Sequence, residues 1–341
     1  MKLTRSPWPL RAACCMIILA ASPAFGWGAR GHRIVTQLAL DGLSQDMPAW
    51  LHDPAIVARI AEQSNEPDRW RGTHRPAISN NANTAHYIDV EDLDQFGLTL
   101  AGLPRLRDDY VKAMVKARIE HPDKVAPYDD AKDPNHTKEF PGFLPYAMDE
   151  HFARLQASFN TLRAAEAAGP QARPGSLEQA KENVIYEMGI LSHFVGDASQ
   201  PLHTTMHHHG WVGQNPSGYT KDNGFHAYID TRILEVQGLT YEGLKASMKY
   251  NRTASAADPW PDMLAHIQRS FDRVEPLYRL QKSGELTKDE GKAFITERLD
   301  DGAAMLAALY NAAWESSKPS PGEVSNYIKY NEAEKAAAPK P

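Results

Sequence analysis

Apolar residues recur at three- and four-residue spacings along most of this chain, the period of a helix with one buried face. The pattern predicts amphipathic helices over GHRIVTQLALDGL (31–43), PAWLHDPAIVARIAEQ (48–63), RLRDDYVKAMVKARIEH (105–121) and YAMDEHFARLQASFNTLRAAEAA (146–168). It continues over SLEQAKENVIYEMGILSHFVGD (176–197) and KAFITERLDDGAAMLAALYNAAWES (292–316). Alternating runs bounded by turn residues are nearly absent, so the expected fold class is all-α. Two stretches carry no period: the proline-rich segment 121–145 and HHHGWVGQNPSGYTKDNG at 207–224. Irregular segments that long inside a compact domain are usually functional rims. The polar, alanine- and proline-containing end, 319–341, is expected to be a disordered tail.

Composition narrows the class. The opening MKLTRSPWPLRAACCMIILAASPAFG carries Lys2, Arg5 and Arg11 and then an apolar core too short to span a membrane. Residues 1–26 therefore read as a secretory signal peptide, with a mature chain beginning at Trp27, exported to the periplasm or beyond the cell and without a membrane anchor. Both cysteines, Cys14 and Cys15, fall in that segment, which leaves residues 27–318 to form one catalytic-sized domain without disulfides. Net charge is −6 for the whole chain, and loss of three cations with the signal makes it −9. That balance argues against a broad basic surface gripping duplex DNA.

The chemistry-bearing residues cluster against this helical background. In HFVGDASQPLH (193–203), His193 and Asp197 are four apart and share one helix face, Pro201 ends the helix, and His203 emerges past the break. Gly196 removes a side chain where a neighbour approaches closely. GFHAYIDTRIL repeats the spacing with His226 and Asp230, while NTAHYIDV supplies His86 and Asp89, EPDRWR supplies Asp68 and Arg71, and WGARGH supplies Trp27 and His32. Ionisable groups on otherwise apolar helices are costly to bury unless they are paired or metal-bound. A donor set of only nitrogen and oxygen suits zinc. His207, His208 and His209 read as a solvated loop with adventitious metal affinity.

The ordered set WGARGH, PDRWR, AHYID, HFVGDASQPLH and HAYID resembles the fungal and plant single-strand-specific zinc nucleases, which share a superfamily with the bacterial zinc phospholipases C. The resemblance implies three zinc ions in one cleft. Asp68, His86, His193 and Asp197 would hold the first. The α-amino nitrogen and carbonyl of Trp27, with His32 and a bridging Asp197, would hold the second, and His203, His226 and Asp230 the third. It also implies hydrolysis of single-stranded DNA and RNA to 5′-nucleotides, with 3′-nucleotidase activity, Asp68 and Asp197 serving catalysis directly. Tyr87 and Asp89 would contact a nucleobase and Arg71 a phosphate. Tyr87 also fits a core aromatic, and Arg71 a surface salt bridge. No stable protein partner is implied.

Two other readings stay open. A phospholipase C acting on choline phospholipids is disfavoured by Asp230, where that branch carries glutamate. A zinc- or nucleotide-binding protein without turnover is disfavoured by three complete ligand sets. The chain departs from the nucleases in lacking disulfides and in its segments 121–145 and 207–224.

Overall fold

The computed structural model describes residues 27–73 and 75–337. The signal-peptide segment 1–26, with Cys14 and Cys15, lies outside the described residues. Fourteen α-helical segments follow in order among them: α1 (Ala29–Asp41), α2 (Pro54–Gln63), α3 (Glu66–Arg71), α4 (Pro76–Ala85), α5 (Arg107–Glu120), α6 (Leu144–Ala168) and α7 (Ser176–Ser199) come first. Then come α8 (Phe225–Ala227), α9 (Ile233–Val236), α10 (Tyr241–Lys245), α11 (Trp260–Phe271), α12 (Val274–Ser283), α13 (Asp289–Glu315) and α14 (Pro321–Ala337). The only extended pairing among the described residues is an isolated antiparallel bridge between Ile88 and Gly142. The fold is all-α, as the periodicity predicts.

Helix α7 is the axis of the domain. It packs against α6, α13, α2 and α1, and every residue from Met188 to Ser199 is buried. A helix apolar on one face cannot do this; its second half reads MGILSHFVGDAS, with small or apolar residues all round except at His193 and Asp197. Close approach needs two of those small residues. A Cβ on Gly189 would lie 2.3 Å from Gln63 Cβ of α2, and a Cβ on Gly196 would lie 3.0 Å from His32 Nδ1 of α1.

Local chemistry sets the helix boundaries. The expected helix over 48–63 divides at Asp53–Pro54, because proline disfavours helical backbone in the residue before it. Asp53 takes extended backbone and its carboxylate caps α2 by accepting from Ala55 N at 2.8 Å. Residues 338–341 lie outside the described residues, and over Pro321–Ala337 the expectation of disorder is corrected: these residues form helix α14, which packs on α6. Its start is a capping box, with Ser320 N donating to Glu323 Oε2 at 2.7 Å and Glu323 N donating to Ser320 Oγ at 3.3 Å. That Ser-x-x-Glu signal, with Pro321 at the first helical position, was present in the sequence and outweighs the composition of the segment.

The two aperiodic segments are irregular, as expected, but they are tied down. Segment 121–145 is held by Asn80 Nδ2 donating to the carbonyls of Asn135 (2.8 Å) and His136 (2.9 Å), and by Asp89 N donating to Pro141 O at 2.6 Å. Segment 207–224 folds around Trp211, which stacks on His207 at 3.9 Å and meets Tyr278 edge-on at 5.2 Å. Each borders the cleft described next.

Candidate metal centre

Three groups of buried His and Asp side chains meet near the C-terminal end of α7: His32, His193 and Asp197; Asp68, His86 and His193; and His203, His226 and Asp230. Within each group the potential ligand atoms lie within 4.8 Å of one another. His193 belongs to two groups, so the first two adjoin. His203 Nδ1 lies 3.8 Å from Asp197 Oδ2, which brings the third alongside. Eight of the nine sequence-predicted ligands are thus brought together, from α1, α3, the end of α4, α7, the turn after it and the α8 region.

The spacings fit coordination better than hydrogen bonding. His193 Nε2 is 3.2 Å from Asp197 Oδ2, His32 Nε2 is 3.4 Å from Asp197 Oδ1, His86 Nε2 is 3.5 Å from Asp68 Oδ1, and His226 Nε2 is 3.4 Å from Asp230 Oδ2. Two ligands on a tetrahedral ion with bonds of about 2.0–2.1 Å are separated by roughly 3.3 Å. His32 Nε2, His86 Nε2, His193 Nε2, both Asp197 carboxylate oxygens and Asp230 Oδ2 are all buried without a hydrogen-bond partner. Unpaired buried polar atoms cost about 1–3 kcal/mol each, and here they coincide with the atoms that would bind an ion. His226 and His203 face each other with Nε2 atoms 3.0 Å apart.

The opposite ring nitrogens explain why those atoms face inward. His193 Nδ1 lies 2.7 Å from Ser64 O, His203 Nδ1 lies 2.5 Å from His86 O, and His86 Nδ1 contacts Ala82 O. A carbonyl only accepts, so each Nδ1 carries the hydrogen and each Nε2 keeps a lone pair for a ligand role. Gln200 Nε2 donates to Asp230 Oδ1 at 2.6 Å and leaves Oδ2 inward. Of the expected helical pair, His226 lies in α8 and Asp230 on a π-turn, Tyr228–Arg232, that follows α8 directly. Such turns are rare and concentrate at functional sites.

Protonation states follow from burial and mutual charge. Burial pushes the His32 imidazolium down to about 3, and His193 beside it adds to the shift; burial takes His86 down to about 4. His203 and His226 are lowered by the same cause. Burial opposes ionisation of Asp197, yet His203, His193 and His32 outweigh it and hold that carboxyl well below its ordinary range; Asp68 behaves likewise beside His193 and His86. Neutral imidazoles and ionised carboxylates are the forms that bind metals. Two groups differ. His193 is raised against burial by Asp197 and Asp68, and Asp230 is pushed well above its usual value by burial. A metal ion would have to displace a proton at each.

Trp27, the ninth predicted ligand, is fully buried against the same turn of α7: its indole donates to Ser199 Oγ at 2.8 Å, and its carbonyl accepts from His32 N at 3.2 Å. Arg71 points inward rather than to the surface, with Nε donating to Asn83 Oδ1 at 3.1 Å and Nη1 3.5 Å from Asp68 Oδ1. Tyr87 is half-buried, and its hydroxyl donates to Thr137 O at 2.5 Å, so it borders the cleft while anchoring segment 121–145. Asp89 lies 3.6 Å from His208.

The site opens into a cavity of about 470 Å³ whose lining includes Arg71, Tyr87, Asp89, His203, His226 and Phe140. His208 and His209 also line it, with the His209 ring 5.4 Å from that of His226. The expectation of a wholly solvated histidine run misses this placement. No signal in the run HHHG distinguishes inward from outward side chains, since an irregular loop has no period.

Fold and geometry together define an all-α protein with adjoining His/Asp groups able to bind metal ions. Neither protein-family models nor curated proteins show a match to the chain.

Proposed function

We propose that this protein is an exported, zinc-dependent phosphodiesterase that hydrolyses single-stranded DNA and RNA to 5′-nucleotides and removes 3′-phosphates from nucleotides, a member of the single-strand-specific zinc nuclease family. The observation that carries the reading is the convergence of unpaired, inward-facing Nε2 and carboxylate atoms from three His/Asp groups at the base of one cleft. His32, His193 and Asp197, then Asp68 and His86, then His203, His226 and Asp230 would hold three ions, with the Trp27 amino nitrogen and carbonyl completing the site that includes His32. Bound there, the ions would acidify water toward neutral pH and neutralise phosphate oxygens.

The chain's own groups have separate tasks. The Asp68 carboxylate is held ionised and can accept a hydrogen bond from attacking water, orienting it toward phosphorus. Arg71, 3.5 Å from Asp68 and facing the cleft, presents a guanidinium to a phosphate oxygen. The ring of Tyr87 offers a stacking surface on the cleft wall, and its tethered hydroxyl fixes that surface in place. Stacking accepts any base, which gives single-strand preference without sequence reading.

The decisive assay offers the processed protein single-stranded DNA, duplex DNA, RNA, a 3′-mononucleotide and phosphatidylcholine vesicles, with chelator and with zinc restored. Chelator-sensitive cleavage of single strands to 5′-mononucleotides is expected. Hydrolysis of the vesicles alone would reassign the site to lipid phosphodiesters, and tight zinc binding without turnover on any substrate would reduce it to a binding protein.

A further inference from the structure

The consecutive histidines 207 to 209 do not share one role. His207 stacks on Trp211, and its Nδ1 accepts from Val212 N at 3.1 Å, so it serves the fold of segment 207–224. His208 and His209 instead line the cavity, together with His226 and His203. Their rings lie 4.6 Å apart; the His209 ring is 5.4 Å and the His208 ring 6.3 Å from that of His226, and His226 meets His203 at 4.7 Å. Exposure falls along this row of imidazoles: His209 is exposed, while His208 keeps 28% of its side chain exposed, His226 8% and His203 3%. Asp230, the last donor, is fully buried. The row therefore joins solvent to the third ligand group.

His208 carries the same orienting contact as the ligand histidines. Its Nδ1 lies 3.1 Å from Thr205 O, which only accepts, so Nδ1 carries the hydrogen and Nε2 keeps a lone pair, the arrangement found at His86, His193 and His203. Asp89 stands 3.6 Å from the same nitrogen, as carboxylates stand behind many zinc-binding imidazoles. No third donor joins His208 and His209: among the described residues, the groups of three or more that could hold an ion are those already given. Two imidazoles can replace two waters of a hydrated ion, but they fall short of the donor set that retains zinc.

We infer that His208 and His209 form an entry site at the cleft mouth, which takes a hydrated zinc ion from solvent and delivers it to the buried His203, His226 and Asp230 group. The inference rests on the metal-centre part of the zinc phosphodiesterase reading and gives segment 207–224 a loading function. Passage along the row exchanges coordinated waters for imidazoles one at a time, so the ion is never stripped of its whole shell at once. Because the pair takes no part in the final coordination, it sets the rate of exchange and leaves the affinity alone. Uptake and release must then change by the same factor, since their ratio is the equilibrium constant.

The test reads metal exchange, so it does not depend on turnover. Processed protein stripped with chelator is mixed with zinc in a stopped flow, uptake being followed with a weak chromophoric zinc indicator and the final content by atomic emission. Extraction of the loaded protein into excess chelator gives the reverse rate. The double variant His208→Asn with His209→Gln removes both donors, while the asparagine amide can still donate to Thr205 O. It should slow uptake of one zinc equivalent per chain by about tenfold, a barrier change of about 1.4 kcal/mol, and slow its extraction by the same factor. Zinc content, dissociation constant and melting temperature in chelator should match the wild type. Unchanged uptake and extraction rates would overturn the entry site. Slower uptake accompanied by lower zinc content or weaker affinity would also overturn it, because the histidines would then be resident ligands. A wild type that takes up no tightly held zinc would remove the metal-centre reading, and the entry site with it.

Discussion

Replacing Gly196 with alanine adds one methyl group at the closest approach between α7 and the ligand set. The new Cβ would lie 3.0 Å from His32 Nδ1 and 3.4 Å from His32 Cε1, against about 3.5–4.0 Å for relaxed contact. The His32 ring has little room to retreat, being fully buried and stacked on His193 with centroids 4.1 Å apart. Overpacking of this kind costs about 1–3 kcal/mol, while removing glycine from a helix interior returns about 1 kcal/mol. Metal-free stability should therefore change by no more than about 2 kcal/mol. Metal affinity should suffer more: a ligand ring displaced by about half an ångström is expected to lose roughly 10- to 100-fold, the range seen when support for a ligand is disturbed. Zinc competition against a chromophoric chelator measures the affinity, and urea unfolding in chelator measures the stability. Gly189→Ala, whose Cβ would lie 2.3 Å from Gln63 Cβ and touch no ligand side chain, should lose about 3 kcal/mol of metal-free stability with less change in affinity per unit of destabilisation, the residual change arising through Ser64, which follows Gln63 and holds His193. Wild-type zinc affinity in Gly196→Ala would refute a ligand role for His32.

Three further outcomes follow from the geometry. Asp197→Asn should abolish more activity than any other single ligand change, because both carboxylate oxygens face ligand histidines, Oδ1 toward His32 and Oδ2 toward His193, the residue shared by two groups; near-normal turnover in that variant would show that the bridge is misassigned. One extra residue before Trp27 should lower the number of tightly bound zinc ions measured by atomic emission, since the α-amino nitrogen is displaced, and an unchanged count would exclude that ligand. Asp300, with its carboxyl partly buried and an unpartnered oxygen, is raised by burial from its ordinary value to about 6. Its ionised form therefore opposes folding fully above about pH 6, and the penalty fades as pH falls from 6 through the ordinary value of 3.8, below which the group is protonated in both states. Asp300→Asn should stabilise the protein at pH 7.5 by about 1 kcal/mol, after discounting for the solvent-exposed part of the side chain, and leave it nearly unchanged at about pH 3. Denaturant unfolding at the two pH values checks the sign.

The helices were legible because burying one face of a helix imposes a period, and a period survives in a linear sequence. His193 and Asp197 were legible for the same reason: four-residue spacing puts them on one face whatever surrounds the helix. His226 and Asp230 kept their relation even though the chain there takes a π-turn instead of a regular helix. Over Pro321–Ala337 composition suggests a tail, and the Ser320 and Glu323 capping pair decides for helix α14 instead. A different kind of information places His208, His209, Lys138 and Arg71 around the cleft. The first three stand on irregular segments, where nothing in HHHG or in TKEF says which side chains turn inward, and Arg71, at the end of α3, is turned inward by Asn83 and Asp68. Ser64, Ala82 and His86 lend backbone carbonyls to histidines, a role to which side-chain identity is irrelevant and which sequence cannot record. By itself, then, the sequence determined the helical class, the helix boundaries set by caps and prolines, and the ligand pairs within single turns, all of them consequences of local backbone geometry. Tertiary structure alone decided that five separate regions converge on the end of α7, which ring nitrogens face inward, and which loop charges stand over the cleft, because those follow chiefly from packing between segments distant in the chain, as in the contacts of His193 with Ser64 and of His203 with His86.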